Sequence, residues 1–306
     1  MTFYPTTINF PSRPSAGGSV LSTRYRILAI VIISLCFSSP SKAQRSNEFL
    51  GIRLSTPVQQ VVDEIEQRSG KRLQASFQEL GRFELGTSFI DDDTGTATLY
   101  VDESLEGEAK KLEAIIAHEL LHLRLRVNNF PAFIFSPDVK TAKGRAIDVE
   151  QGHINDLISL IEHRVFKADM ERFGVYKYID LAGDTAADAR QRRGDEDGQA
   201  DSINYARAIL EYPNPSDVTK VRQLFQANGW TRSLKEGASM ADIITTADPR
   251  TPSAVQAVFL KCLLVLFPVP RSNITFRLTP DPTNKYFRRM VINLGRLDRK
   301  RNGKRI

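Results

Sequence analysis

The chain has 306 residues, 41% of them hydrophobic and 25% charged, with 42 Lys and Arg against 36 Asp and Glu and a formal charge of +6. That composition is ordinary for a soluble protein of one or two domains, and two cysteines exclude a disulfide framework. The basic surplus looks at first like a case for a nucleic-acid partner, but its distribution removes that case.

Residues 24–43 read as a secretory signal. Arg24 and Arg26 precede an apolar run over 27–37, and Ser41-Lys42-Ala43 places small residues at both key positions of a cleavage site. The run is about 11 residues, too short to span a bilayer comfortably, so membrane contact is expected only through an uncleaved signal. Cleavage after Ala43 leaves Gln44 first and a secreted or periplasmic chain. Leu35 before Cys36 makes a poor lipobox, so no lipoprotein is expected. Removing Arg13, Arg24, Arg26 and Lys42 leaves 38 basic against 36 acidic residues, a charge of about +2, and no nucleic-acid partner is expected. Cys262, inside the apolar run 254–267, reads as a buried core thiol.

Along the rest of the chain, Thr56-Pro57 starts a helix as N-cap and first residue, Val58, Val61, Val62 and Ile65 give it an apolar face, and Ser69-Gly70 ends it. Strands follow over 72–80, 86–91 and 96–101, the last two joined at Asp92-Asp93-Thr94-Gly95, a good hairpin turn. The next helix, over 110–127, contains His118-Glu119-Leu120-Leu121-His122. With four histidines in the chain, a random order would give this HExxH pattern only about 0.003 times.

Two histidines four residues apart point the same way one turn apart, so both imidazoles reach one metal ion while Glu119 lies beside them. The pattern implies Zn2+ on His118 and His122, with Glu119 as general base on zinc-activated water and an amide bond as the target. Apolar neighbours Ile115, Ile116, Leu120, Leu121 and Leu123 suit a helix running through a core. Arg124 departs from the stricter form of the signature, which prefers an apolar residue there.

Residues 128–144 read as a loop rich in aromatics and prolines that covers the core, and a second helix is expected over about 147–173. Its His153, Glu162 and His163 are the candidates for a third ligand. With Ile154 as the origin of a helical wheel, Leu157, Ile158, Ile161 and Val165 cluster on one face. On the same wheel Glu162 falls at about 80°, on the edge of that face, and His163 at about 180°, opposite it. A glutamate beside a buried stripe needs compensation, which a metal ion supplies, so Glu162 is the expected ligand and His163 the alternative. Asn155 and Asp169 are candidate supporting groups.

The order of helix, short sheet and HExxH helix resembles the upper half of zincin metallopeptidases over about residues 85–173. The metzincin continuation is absent, since Leu125 occupies its glycine position and Asn128 its third histidine, so the arrangement is closest to gluzincins. The resemblance implies an α+β fold with a small antiparallel sheet packed on the HExxH helix and on a second ligand-bearing helix, an edge strand holding the substrate backbone, and a peptide or protein substrate. Many gluzincins place an aspartate four residues after the ligand glutamate, where this chain has Phe166.

The zincin-like part is expected over 44–174, a mostly helical region over 175–284, and a basic, mobile tail over 285–306. Within the helical region, 182–200 reads as an exposed loop and 201–212, 216–228 and 252–267 as helices. Tyr176 and Tyr178 are candidate donors to an oxyanion. A non-catalytic exported protein with a structural zinc site is the alternative function.

Overall fold

The computed structural model describes residues 48–80, 85–90, 96–135, 151–178, 181–192, 196–212, 214–266, 274–280 and 288–294. The residues read as a signal, the expected turn at 92–95 and the end of the basic tail therefore lie outside the described residues. The chain divides after Arg45, and Ser46–Ile306 forms one unit. Among the described residues no helix is long and apolar enough to cross a membrane.

A short hairpin, β1 (Glu48–Phe49) and β2 (Ile52–Arg53), leads into α1 (Thr56–Ser69). Ser55 rather than Thr56 is its N-cap, Pro57 lies in the first turn where no amide hydrogen is needed, and Gly70 ends it at φ +69°. Next come β3 (Gln74–Gln78), β4 (Gly86–Ile90) and β5 (Ala97–Asp102), then α2 (Ala109–Val127) with the HExxH motif.

The sheet order is β3-β5-β4, with β4 antiparallel and β3 parallel to β5, so the sheet is mixed and not purely antiparallel as expected. The cause lies in β5. Its Ala97, Leu99 and Val101 are fully buried and take the central position, which places β5 beside two strands of opposite direction.

The expected loop after α2 contains a strand, β6 (Ala132–Phe135), whose Phe133 stacks on Phe259 at 4.1 Å between ring centres. Phe130 and Phe133 both serve the core. The expected single long helix is two, α3 (Gln151–Val165) and α4 (Lys167–Phe173), broken at Phe166, whose φ of −111° is non-helical. A 3-10 turn over Val175–Lys177 follows.

The first part of the stretch read as an exposed loop forms α5 (Leu181–Gln191), where Ala182, Ala186, Ala187 and Ala189 outweigh the Asp and Gly that suggested a loop. Four more helices complete the region: α6 (Gly198–Glu211), α7 (Pro215–Ala227), α8 (Thr231–Thr246) and α9 (Pro252–Leu266). Finally β7 (Ile274–Pro280) and β8 (Arg288–Leu294) form a sheet of order β6-β8-β7, so part of the stretch expected to be a mobile tail is a central strand. The protein is α+β and mostly helical.

One core spans α1, the first sheet, α2, α3 and α9, and a smaller cluster around Trp230, Phe225 and Tyr205 joins α5, α6, α7 and α8. Cys262 is fully buried, and burial pushes its thiol up to about 12, as a core residue requires. Helices α6 and α8 approach closely at Gly237, where a Cβ would sit 2.6 Å from the Ser202 carbonyl oxygen and 2.9 Å from Tyr205 Cβ. On an exposed helix Gly→Ala stabilises by about 1 kcal/mol. Here the added methyl meets backbone, so Gly237→Ala is expected to destabilise by roughly 2 kcal/mol, read as a lower urea midpoint; an increased midpoint would refute the close approach.

Candidate metal centre

The two motif histidines lie one turn apart on α2, with ring centres 4.8 Å apart. Helix α3 lays His163 against them. His118 Nε2 is 2.9 Å from His163 Nε2 and 3.3 Å from His122 Nε2, and the ligand atoms of the three residues all lie within 4.8 Å of one another.

The other nitrogen of each ring is held by a carboxylate. His118 Nδ1 is 3.0 Å from Glu119 Oε1, His122 Nδ1 is 2.7 Å from Glu162 Oε2, and His163 Nδ1 is 2.8 Å from Glu211 Oε1. An ionised carboxylate only accepts, so in each case Nδ1 carries the hydrogen and donates. In the neutral ring Nε2 is then left with its lone pair. The lone pairs of His163 and His122 both face that of His118, at 2.9 and 3.3 Å, and at such distances they repel unless a positive charge lies among them. Two nitrogens on one tetrahedral zinc stay about 3.3 Å apart, given Zn–N bonds of ~2.0–2.1 Å, and the two spacings to His118 are close to that. The three histidines could therefore hold a metal ion.

The electrostatics agree. Burial by itself raises the pKa of Glu119, but its interactions with His118, His122 and the Ser88 hydroxyl outweigh it and hold it down to about 2. Burial likewise opposes ionisation of Glu162, where Arg126 and His122 prevail, and of Glu211, where His163 and Arg207 prevail; both stay below the ordinary carboxylate range. Burial drives His163 down to about 4 in spite of Glu211. At neutral pH the three carboxylates are charged and His163 is neutral.

Glu162, the ligand expected from helical periodicity, is 1% exposed and sits behind His122, with its other oxygen 2.5 Å from Arg126 Nη1. The structure groups His163, the alternative, with His118 and His122. Periodicity does not separate the two residues, because α3 is buried on both sides: Leu160 and Ile161 are both essentially unexposed, as is Glu162, and His163 is 7% exposed. His153 lies elsewhere, its Nδ1 3.1 Å from Gln199 of α6.

Asn155 is exposed, and Asp169 pairs with Arg124 and Arg172. That ion pair accounts for Arg124 in a position that favours apolar residues. Phe166 packs against all three imidazoles, with ring centres 6.5, 5.0 and 5.5 Å from His118, His122 and His163, and walls the cluster with apolar surface. Tyr176 is half-buried in the 3-10 turn; burial and the charges of Glu211 and Glu171 raise its pKa, so it stays a neutral hydrogen-bond donor. Tyr178 is also half-buried.

Ser88, Arg126, Ser159 and Glu211 escaped the sequence reading. Ser88 donates to Glu119 Oε2 at 3.0 Å, with the Glu119 carbonyl 3.3 Å away. Its strand comes close because of Gly86, where a Cβ would meet Ile115 Cγ2 at 2.9 Å and Glu119 Cγ at 3.0 Å. The signal was a glycine two residues before a serine, on one face of a strand. Arg126 was visible only as a charge in the last turn of α2, and Ser159 only as a lone hydroxyl among apolar neighbours. Glu211 is 48 residues from His163, and no local pattern joins them.

Comparison with protein-family models, with curated proteins and with solved structures finds no match.

Metal content of purified variants separates the two candidate ligands. His163→Ala is expected to lose the metal, whereas Glu162→Ala and Glu211→Ala retain it with affinity reduced roughly 10- to 100-fold, the usual effect of removing a group that orients a ligand histidine. Loss in Glu162→Ala with retention in His163→Ala would reverse the assignment.

Proposed function

We propose that the chain is an exported zinc-dependent hydrolase, a metallopeptidase acting on peptide or protein substrates, with His118, His122 and His163 as ligands and Glu119 as general base. The observation that carries this is the convergence of three Nε2 lone pairs beside an ionised glutamate on the same helix as two of them. Imidazole donors suit zinc, and three protein ligands are the number a catalytic zinc site uses, where structural sites use four. When bound, the metal supplies a water of lowered pKa and polarises the carbonyl to be attacked.

The protein's own residues do the rest. His118 and His122 are 17% and 16% exposed at their side chains, so the cluster is reached from their side, while His163, at 9%, closes the inner side. Glu119 is charged and adjacent to the cluster, as an acceptor of the attacking water's proton must be, and it can return that proton to the leaving amine. Ser88 holds one oxygen of that carboxylate and fixes its orientation. Strand β4, at the edge of its sheet and joined to Glu119 through Ser88, is the strand that takes the substrate backbone in this zincin-like reading. Tyr176 is the candidate oxyanion donor. Export follows from the signal pattern of residues 24–43.

One observation favours a second reading, an exported protein with a non-catalytic zinc site. Both Glu119 oxygens have partners, and its contact with His118 Nδ1 matches what Glu162 and Glu211 do for the other two histidines. In that case Glu119 orients a ligand and transfers no proton.

Glu119→Gln separates the two. Assayed with internally quenched peptides, it is expected to keep one bound zinc and lose roughly 10²- to 10⁴-fold in kcat/KM. An unchanged rate refutes the base role, and a zinc-loaded wild type that cleaves none of the peptides supports the second reading.

A further inference from the structure

Helix α3 carries one polar side chain, Ser159, within an otherwise apolar run, between Ile158 at 6% and Leu160 at 1% exposure. Serine and threonine in helices commonly return a hydrogen bond to the carbonyl four residues back. Ser202, Thr219 and Thr246 of this chain do so. Ser159 instead points one turn forward, and its Oγ lies 3.2 Å from His163 Nε2. That nitrogen is the inward-facing one, because His163 Nδ1 is committed to Glu211. The hydroxyl therefore stands at the border of the place where three lone pairs meet.

Ser159 is not placed as a fourth ligand. A ligand atom on the fourth vertex would sit about equally far, roughly 3.3 Å, from all three nitrogens. Ser159 makes its contact with His163, and among the described residues no hydrogen bond joins it to His118 or His122. It stands off-centre, beside His163 and half-buried. A metal that takes the Nε2 lone pair of His163 removes the acceptor that Ser159 now uses. Its hydroxyl is then left next to whatever oxygen ligand fills the coordination position the histidines leave open.

We propose that Ser159 is a positioning residue that hydrogen-bonds the non-protein oxygen ligand of the metal, whether water or the carboxylate of a small anion. The assignment builds on the metal site proposed above and extends it, since nothing in the HExxH pattern calls for a hydroxyl at this position. Ser159, four residues before His163 on the same helix face, thereby contributes to how the open position discriminates among oxygen ligands.

The test uses the full mature chain loaded with Co2+, with visible absorption as the readout and acetate as the probe of the open position. Ser159→Ala is expected to bind one Co2+ with affinity within about threefold of wild type, to show a changed visible spectrum, and to bind acetate about tenfold more weakly, the loss expected for a hydrogen bond to a charged group. Ser159→Thr, which keeps the hydroxyl, restores acetate binding. A Ser159→Ala spectrum and acetate affinity equal to wild type overturn the proposal, and so does a loss of Co2+ affinity of about 100-fold or more, which makes Ser159 a ligand. A wild type that takes up no Co2+ overturns the metal site itself.

Discussion

Three buried carboxylates, each in contact with an imidazole, fix how the helices of this protein sit against one another. An unpaired buried charge costs several kcal/mol, so Glu119, Glu162 and Glu211 are tolerated only where their partners remain in reach. Glu162 ties α3 to α2 through His122 and Arg126, and Glu211 ties α6 to α3 through His163. Glu119 extends the series outward to β4 through Ser88. Apolar burial is non-directional and would allow these elements to slide; the charged contacts select one register.

The same contacts prepare the cluster chemically. Each carboxylate fixes the tautomer of one histidine, and together they aim the three Nε2 atoms at one another. Phe166 contributes apolar surface against all three rings, which lowers the local dielectric and strengthens each of these interactions. Arg207 extends the arrangement away from the site, with Asp156 at 3.6 Å and Glu211 Oε2 at 3.9 Å. The helical C-terminal region is thus part of the site's support, because Glu211 belongs to α6.

What could be read in the sequence follows the range of the interactions. The motif helix, α1 with its Pro57 and Gly70 boundaries, and the first three strands after α1 depended on local pattern and were legible. Cys262 was legible for the same reason. The mixed order of their sheet was not, since it depends on which strand wins the centre, and that is decided by the full burial of β5. Helix α5 was hidden behind Asp and Gly that signal turns locally. Part of the basic tail proved to be β8, whose partners are β7 and the sequence-distant β6. At the site, His118, Glu119 and His122 stood out as one motif. Glu162 and His163 were both recognised as candidates, but the choice between adjacent residues needed a helix with one buried face, and α3 has two. Glu211 was beyond reach because its link to His163 is tertiary.

The central claim is that His118, His122 and His163 jointly hold one metal ion. X-ray absorption at the zinc edge of the zinc-loaded protein tests it most directly. Three imidazole nitrogens at about 2.0 Å with one further light-atom ligand are the expected result. A first shell with fewer than three imidazoles, or a protein that retains no zinc, would contradict it.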